Sequence, residues 1–265
     1  MAGVNPQERL DISALPFVDR LAVWGGLALI TVLSWLYLLR IPMPAGTDMA
    51  GMPGMRMAIG QPHPWMLDDV VTAFVMWSVM MVAMMVPSTS PMVTMYARAV
   101  RARGANARLK IAMFVAGYIV AWTIFSVAAT LIQVLLQRTA LISANLAVTP
   151  VAGGVILMAA GFYQVTPLKQ ACLRRCRSPL GFFMTEWREG PRGAFTMGLK
   201  HGLFCVGCCW MLMGLLFAAG VMNLLWVALI AIFVLLEKVL PWERLVANAA
   251  ALALIGTGIW LVAVS

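Results

Sequence analysis

The sequence predicts an all-α fold: a polytopic transmembrane helical bundle of about seven spans with its N-terminus in the cytoplasm. Three observations predict it. First, 62% of the residues are hydrophobic and only 11% are charged, with a mean hydropathy of +0.90, whereas a soluble domain carries about 25% charged residues. Polar groups cannot cover such a chain, so lipid must be the solvent for much of it. Second, apolar runs of about 20 residues recur, the length a helix needs to cross the hydrocarbon core. Third, the basic residues gather in alternate loops. The longest interval between apolar runs, about 30 residues, is shorter than the smallest ordinary domain of about 50, so residues 21–265 form a single membrane domain.

The N-terminal segment, residues 1–20, mixes acids and bases and is expected to be cytoplasmic. The apolar run after it ends at Arg40 and lacks the basic start and small-residue exit of a secretory signal, so it reads as a retained helix. The expected spans are 21–39, 70–88, 111–136, 150–167, 197–220, 224–240 and 246–264. Helices are required because backbone groups in lipid must be satisfied within the segment, and no alternating pattern suggests a barrel. The fifth and sixth spans are separated by a short turn and should form a tight antiparallel hairpin.

Charge sets the direction. With the N-terminus inside, all but Arg40, Arg56 and Arg138 of the 19 basic residues are cytoplasmic, as the positive-inside rule requires. This accounts for the net charge of +9 and points to anionic membrane lipids as partners, with no nucleic-acid motif beside it. The expected location is the bacterial inner membrane.

The chemistry concentrates in HGLFCVGCCW. On a helix, His201, Cys205, Cys208 and Cys209 fall at about 0°, 40°, 340° and 80°, roughly a quarter of the circumference. Soft sulfur and nitrogen donors on one face suit Cu(I), zinc, another transition metal or a thiol redox couple. A single cysteine would be a small packing residue; a cluster of this kind reads as a site.

The segment 41–69 is extracytoplasmic on this topology and rich in methionine. Met49, Met52 and Met55 stand among Gly and Pro, with His63 downstream. Thioethers suit Cu(I) and do not readily form disulfides in an oxidising compartment. In the second span Met76, Met80 and Met84 repeat at i, i+4, i+8, either a ligand ladder or ordinary packing. Both this stripe and Cys205–Cys209 should lie near mid-membrane, so a shared soft-ligand site is possible.

Glu237 is an intramembrane carboxylate, which normally has a partner or a role. The hairpin should place it level with His201, where it could orient the imidazole for metal or relay a proton; alternatively it pairs with Lys238 or Arg244. Cys172 and Cys176, in CLRRC, face the same way on a helix and read either as a cytosolic metal or redox pair or as incidental thiols. No Walker loop, dinucleotide fingerprint, HExxH or nucleophile elbow is present, which excludes ATP-driven transport by this chain alone.

Three stretches, MWSVMMVAMMVPSTSP, GFYQVTPLKQACLRRCRSPLGFF and GLKHGLFCVGCCW running on to MNLLW and the helix ending at Lys238, closely resemble a bacterial family of predicted metal-binding integral membrane proteins. The resemblance covers about residues 65–245 and rests on the GCCW and MNLxW elements. It implies a multi-helix membrane protein that binds metal, with His201, Cys205, Cys208, Cys209 and Glu237 at motif positions. The methionine loop lies outside it.

The expected function is soft-metal binding, most specifically Cu(I), in copper trafficking, homeostasis or insertion into a cuproenzyme, with a periplasmic or membrane cuproenzyme or metallochaperone as partner. The alternatives are a metal- or thiol-dependent membrane oxidoreductase or redox subunit, and a structural subunit of a membrane complex.

Overall fold

The computed structural model describes residues 17–40, 66–102, 106–138, 149–221, 223–240 and 242–265. Among these the secondary structure is helical: α1 (Phe17–Arg40), α2 (Leu67–Arg101), α3 (Ala107–Arg138), α4 (Pro150–Gln164), α5 (Pro167–Arg177), α6 (Pro179–Glu186), α7 (Gly190–Ala219), α8 (Leu224–Val239) and α9 (Glu243–Val264). Prolines open α4, α5 and α6, where a missing N–H costs nothing. The Thr166 and Asn223 side chains cap α5 and α8 by accepting from the backbone N–H groups of Lys169 and Leu225. Inside α2, Pro91 cannot donate to the Pro87 carbonyl, and the Ser90 hydroxyl donates to it at 2.8 Å instead.

Among the described residues five helices are long and apolar enough to cross a membrane: Leu21–Arg40, Leu67–Arg101, Ala107–Leu136, Gly190–Ala219 and Arg244–Val264. The expected span at 150–167 is a different object. It qualifies only when α4 is joined to α5, and the two are bent by 64° at the break. The bend follows from Val165–Thr166–Pro167, where α4 stops, a threonine caps and a proline restarts the helix. The expected span at 224–240 is the 16-residue α8; at 1.5 Å per residue it reaches about 24 Å, short of the ~30 Å hydrocarbon core. Among the described residues the candidate membrane spans therefore number five, or six with the bent pair.

Helix α7 is the hub, packing against α3, α4, α5 and α8, while α2 packs on α1, α3 and α8, and α4 on α9. The α3–α7 contact is a backbone-to-backbone approach. A Cβ on Gly198 would collide with the Phe114 carbonyl, and one on Gly117 with the Phe195 carbonyl. Gly198→Ala is accordingly expected to destabilise the bundle by about 1–3 kcal/mol through overpacking. Thermal unfolding in detergent would show it, and an unshifted midpoint would mean the two helices do not approach this closely. Helices α7 and α8 pack against each other across the short turn, and Lys238 of α8 meets Cys205 of α7 at an equal distance from it, as an antiparallel hairpin requires; α5 packs against both.

Candidate metal site at a sulfur cluster between α5 and α7

One face of α7 is lined by thiols. Cys205, Cys208 and Cys209 are almost wholly buried (0%, 1% and 1% exposed), and His201, a turn earlier, is buried as well. The Cys208 and Cys209 thiols both donate to the Cys205 carbonyl, at 3.1 and 2.9 Å, which turns their sulfurs back along the helix. The bend after α4 then brings a second helix to this face. Leu173 is buried on α5, with Cys172 and Cys176 part-buried on either side of it. Gly207 leaves room for this approach, since a Cβ there would meet Cys172 Sγ at 2.9 Å.

The result is a trio of sulfurs from two helices. The Cys176, Cys205 and Cys208 Sγ atoms all lie within 4.8 Å of one another. Three sulfurs each about 2.3 Å from a shared ion would stand about 4 Å apart, so a small contraction converts the trio into a three-coordinate sulfur site. The donor set is uniformly soft and buried in the helical core, which fits a soft cation.

Sequence reasoning noted Cys176 but set it apart from the α7 cluster; the CxxxC spacing was the available signal, and only the 64° bend joins the two. Other members of the site were missed. Cys205 Sγ lies 3.1 Å from Tyr118 Oη and 3.0 Å from Lys238 Nζ. Tyr118 also donates to the Met85 carbonyl at 3.0 Å, and Lys238 to Ser88 Oγ at 2.8 Å. The side chains around Cys205 thus come from α2, α3, α5, α7 and α8.

The remaining predicted residues are placed as follows. Cys209 lies outside the trio and faces α2, its sulfur 3.9 Å from Met85 Sδ. Met76, Met80 and Met84 are buried in the same core cluster as the α7 cysteines, but it is Met85, on the neighbouring face, whose sulfur reaches one. His201 stacks on Tyr118 and Phe114 with Phe182 at its edge, and its buried Nδ1 has no hydrogen-bond partner. Met49, Met52, Met55 and His63 lie outside the described residues.

Glu237 departs from expectation. Its partner is neither His201, Lys238 nor Arg244 but Lys169 of α5, with Nζ to Oε1 at 2.6 Å and both groups buried. Lys169 Nζ also donates to Gln164 Oε1. Helix α5, which packs against both α7 and α8, explains the change, because it offers Glu237 a cation. At the other end of the α5–α6 segment, Glu186 accepts from Lys200 of α7 at 2.6 Å and lies 3.9 Å from Arg175. The lysine hydrogen bond holds the Glu186 carboxyl below its ordinary range. Both ends of the segment are therefore pinned by charge.

Comparison with known proteins names the cargo. A family model described as "Copper chaperone", PpoB2, matches residues 74–261, which takes in the sulfur trio, Lys238 and the Lys169–Glu237 pair. No curated protein and no solved structure is found to match. The motif resemblance pointed to metal binding at large; the matched family is narrower. Covering well over half of the chain, the match shows that this protein belongs to the PpoB2 copper chaperone family.

Proposed function

We propose that the chain receives copper as Cu(I), holds it on Cys176, Cys205 and Cys208, and hands it to a copper enzyme at the bacterial inner membrane. The observation that carries this reading is the trio of thiol sulfurs contributed by two separate helices within 4.8 Å. Thiols and thioethers prefer the monovalent, softer state of copper, and an apolar bundle favours an ion of low charge. His201, with its unpartnered Nδ1 one turn away on α7, is a reserve ligand. Cys209 and Met85 form the side of the cluster that faces the α2 methionines.

In this reading the N-terminus is cytoplasmic, as the distribution of basic residues favours. The loop holding Met49, Met52, Met55 and His63 then collects copper outside, and Met76, Met80 and Met84 lead it inward to the thiols. The recipient is a periplasmic or membrane cuproenzyme, since proteins of this family deliver copper. Glu237 serves as the partner of Lys169 and not as a ligand.

The test is metal content. Full-length protein purified without oxygen or affinity-tag chelation is expected to retain at least one equivalent of Cu(I) against a thiol-strength Cu(I) chelator, which strips weak thioether sites, and the triple Cys205/Cys208/Cys209→Ser variant none. Copper retained against that chelator by a folded triple variant at the wild-type level would overturn the thiol site.

A further inference from the structure

The sulfur cluster carries a cation of its own. Lys238 Nζ donates to Cys205 Sγ at 3.0 Å and to Ser88 Oγ at 2.8 Å. Among the described residues no carboxylate pairs with it, because the adjacent Glu237 is turned to Lys169. A charged side chain drawn part-way into an apolar helical bundle costs desolvation and needs a compensating partner. Here the ammonium is spent on a hydroxyl and on the sulfur of a candidate metal ligand. Its position is fixed from α5: Lys169 holds Glu237, and Arg177 donates to the Leu240 carbonyl just past the end of α8. The short helix that supplies Cys176 therefore also holds the end of α8 that supplies Lys238.

We infer that Lys238 is a specificity-determining residue of the sulfur site, favouring a monovalent soft cation over a divalent cation of comparable softness. The inference rests on the copper reading of the cluster and adds to it the basis of discrimination. On charge alone a set of thiolates attracts a divalent ion more strongly than a monovalent one. A fixed ammonium opposes that electrostatic part of the affinity and leaves the preference of sulfur for a soft ion intact. An ion about 2.3 Å from Cys205 Sγ lies within about 5 Å of Lys238 Nζ, and the ammonium repels a divalent ion twice as strongly as a monovalent one. At that distance and an effective dielectric constant near 20, the difference is worth more than about tenfold in relative affinity. The sign holds whether two or three of the thiols are ionised, because it depends only on the charge of the ion and that of the lysine.

The experiment uses Ag(I) and Cd(II), both soft and redox-inert, which differ in charge. Full-length wild type, Lys238→Leu and Lys238→Arg are titrated with each ion against competing chelators in detergent. The ratio of Ag(I) to Cd(II) affinity is expected to fall at least about tenfold in Lys238→Leu and to be retained in Lys238→Arg. The ratio does not depend on the fraction of protein that is folded, and Lys238→Gln is a second neutral variant with the same expected result. An unchanged ratio, or equal losses for both ions, overturns the role of the lysine. Wild type that binds neither ion overturns the copper reading itself, whereas wild type that binds both with a ratio insensitive to Lys238 overturns only this inference.

Discussion

Cys176→Ser is expected to weaken Cu(I) binding by at least about a hundredfold, as much as Cys205→Ser or Cys208→Ser. The size follows from the kind of group removed. Altering a partner that merely orients a metal ligand costs about 10–100-fold in affinity, and Cys176 is itself one of three sulfurs within 4.8 Å. A serine hydroxyl keeps the shape but is a hard, neutral donor that a soft ion does not replace a thiolate with. Cys172→Ser is the control, since Cys172 sits one turn away against Gly207 and outside the trio. Competition against a Cu(I) chelator in detergent measures all four variants. Wild-type affinity in Cys176→Ser would confine the site to α7 and remove the reason for the bent segment to approach it.

Removing either member of the Lys169–Glu237 pair should cost about 3–5 kcal/mol of stability, because the survivor becomes an uncompensated buried charge. Replacing both by apolar residues of similar volume, Lys169→Met with Glu237→Leu, should recover most of that loss, since the desolvation cost of both charges disappears together. Unfolding in mixed micelles reads the three variants. Equal stability of the singles and the double would show that the two groups are hydrated and independent. The double variant has a second use: with the fold retained, any loss of copper binding reports the role of the pair in placing Lys238.

The helices were legible because their signal is local. Apolar runs of about 20 residues announce spans, and α1, α2, α3, α7 and α9 lie where those runs are. The family motifs and the 201–209 cluster were equally local. What failed was whatever depended on how helices meet. A break at Thr166–Pro167 can be read in a sequence, but its 64° angle cannot, and that angle decides whether Cys176 leaves the bundle or returns to it. The His201–Glu237 pairing was inferred from the short turn between α7 and α8, and it failed because α5, which packs on both, supplies Lys169 as the partner of Glu237. Lys238 shows the same limit. Its position beside Cys205 requires the relative rotation of two helices, which no single-sequence periodicity contains.

The bend between α4 and α5 also has a mechanical meaning. An ion bound by Cys176, Cys205 and Cys208 is a cross-link: it ties a short amphipathic segment to the central helix α7 by bonds that the unfolded chain does not form as a preorganised set. A ligand that binds only the folded chain adds about 2.7 kcal/mol of stability when present at a hundred times its Kd. Loading therefore stiffens the junction of α4, α5 and α7, and unloading relaxes it. To a partner touching that junction, a full carrier and an empty one differ in rigidity as well as in content.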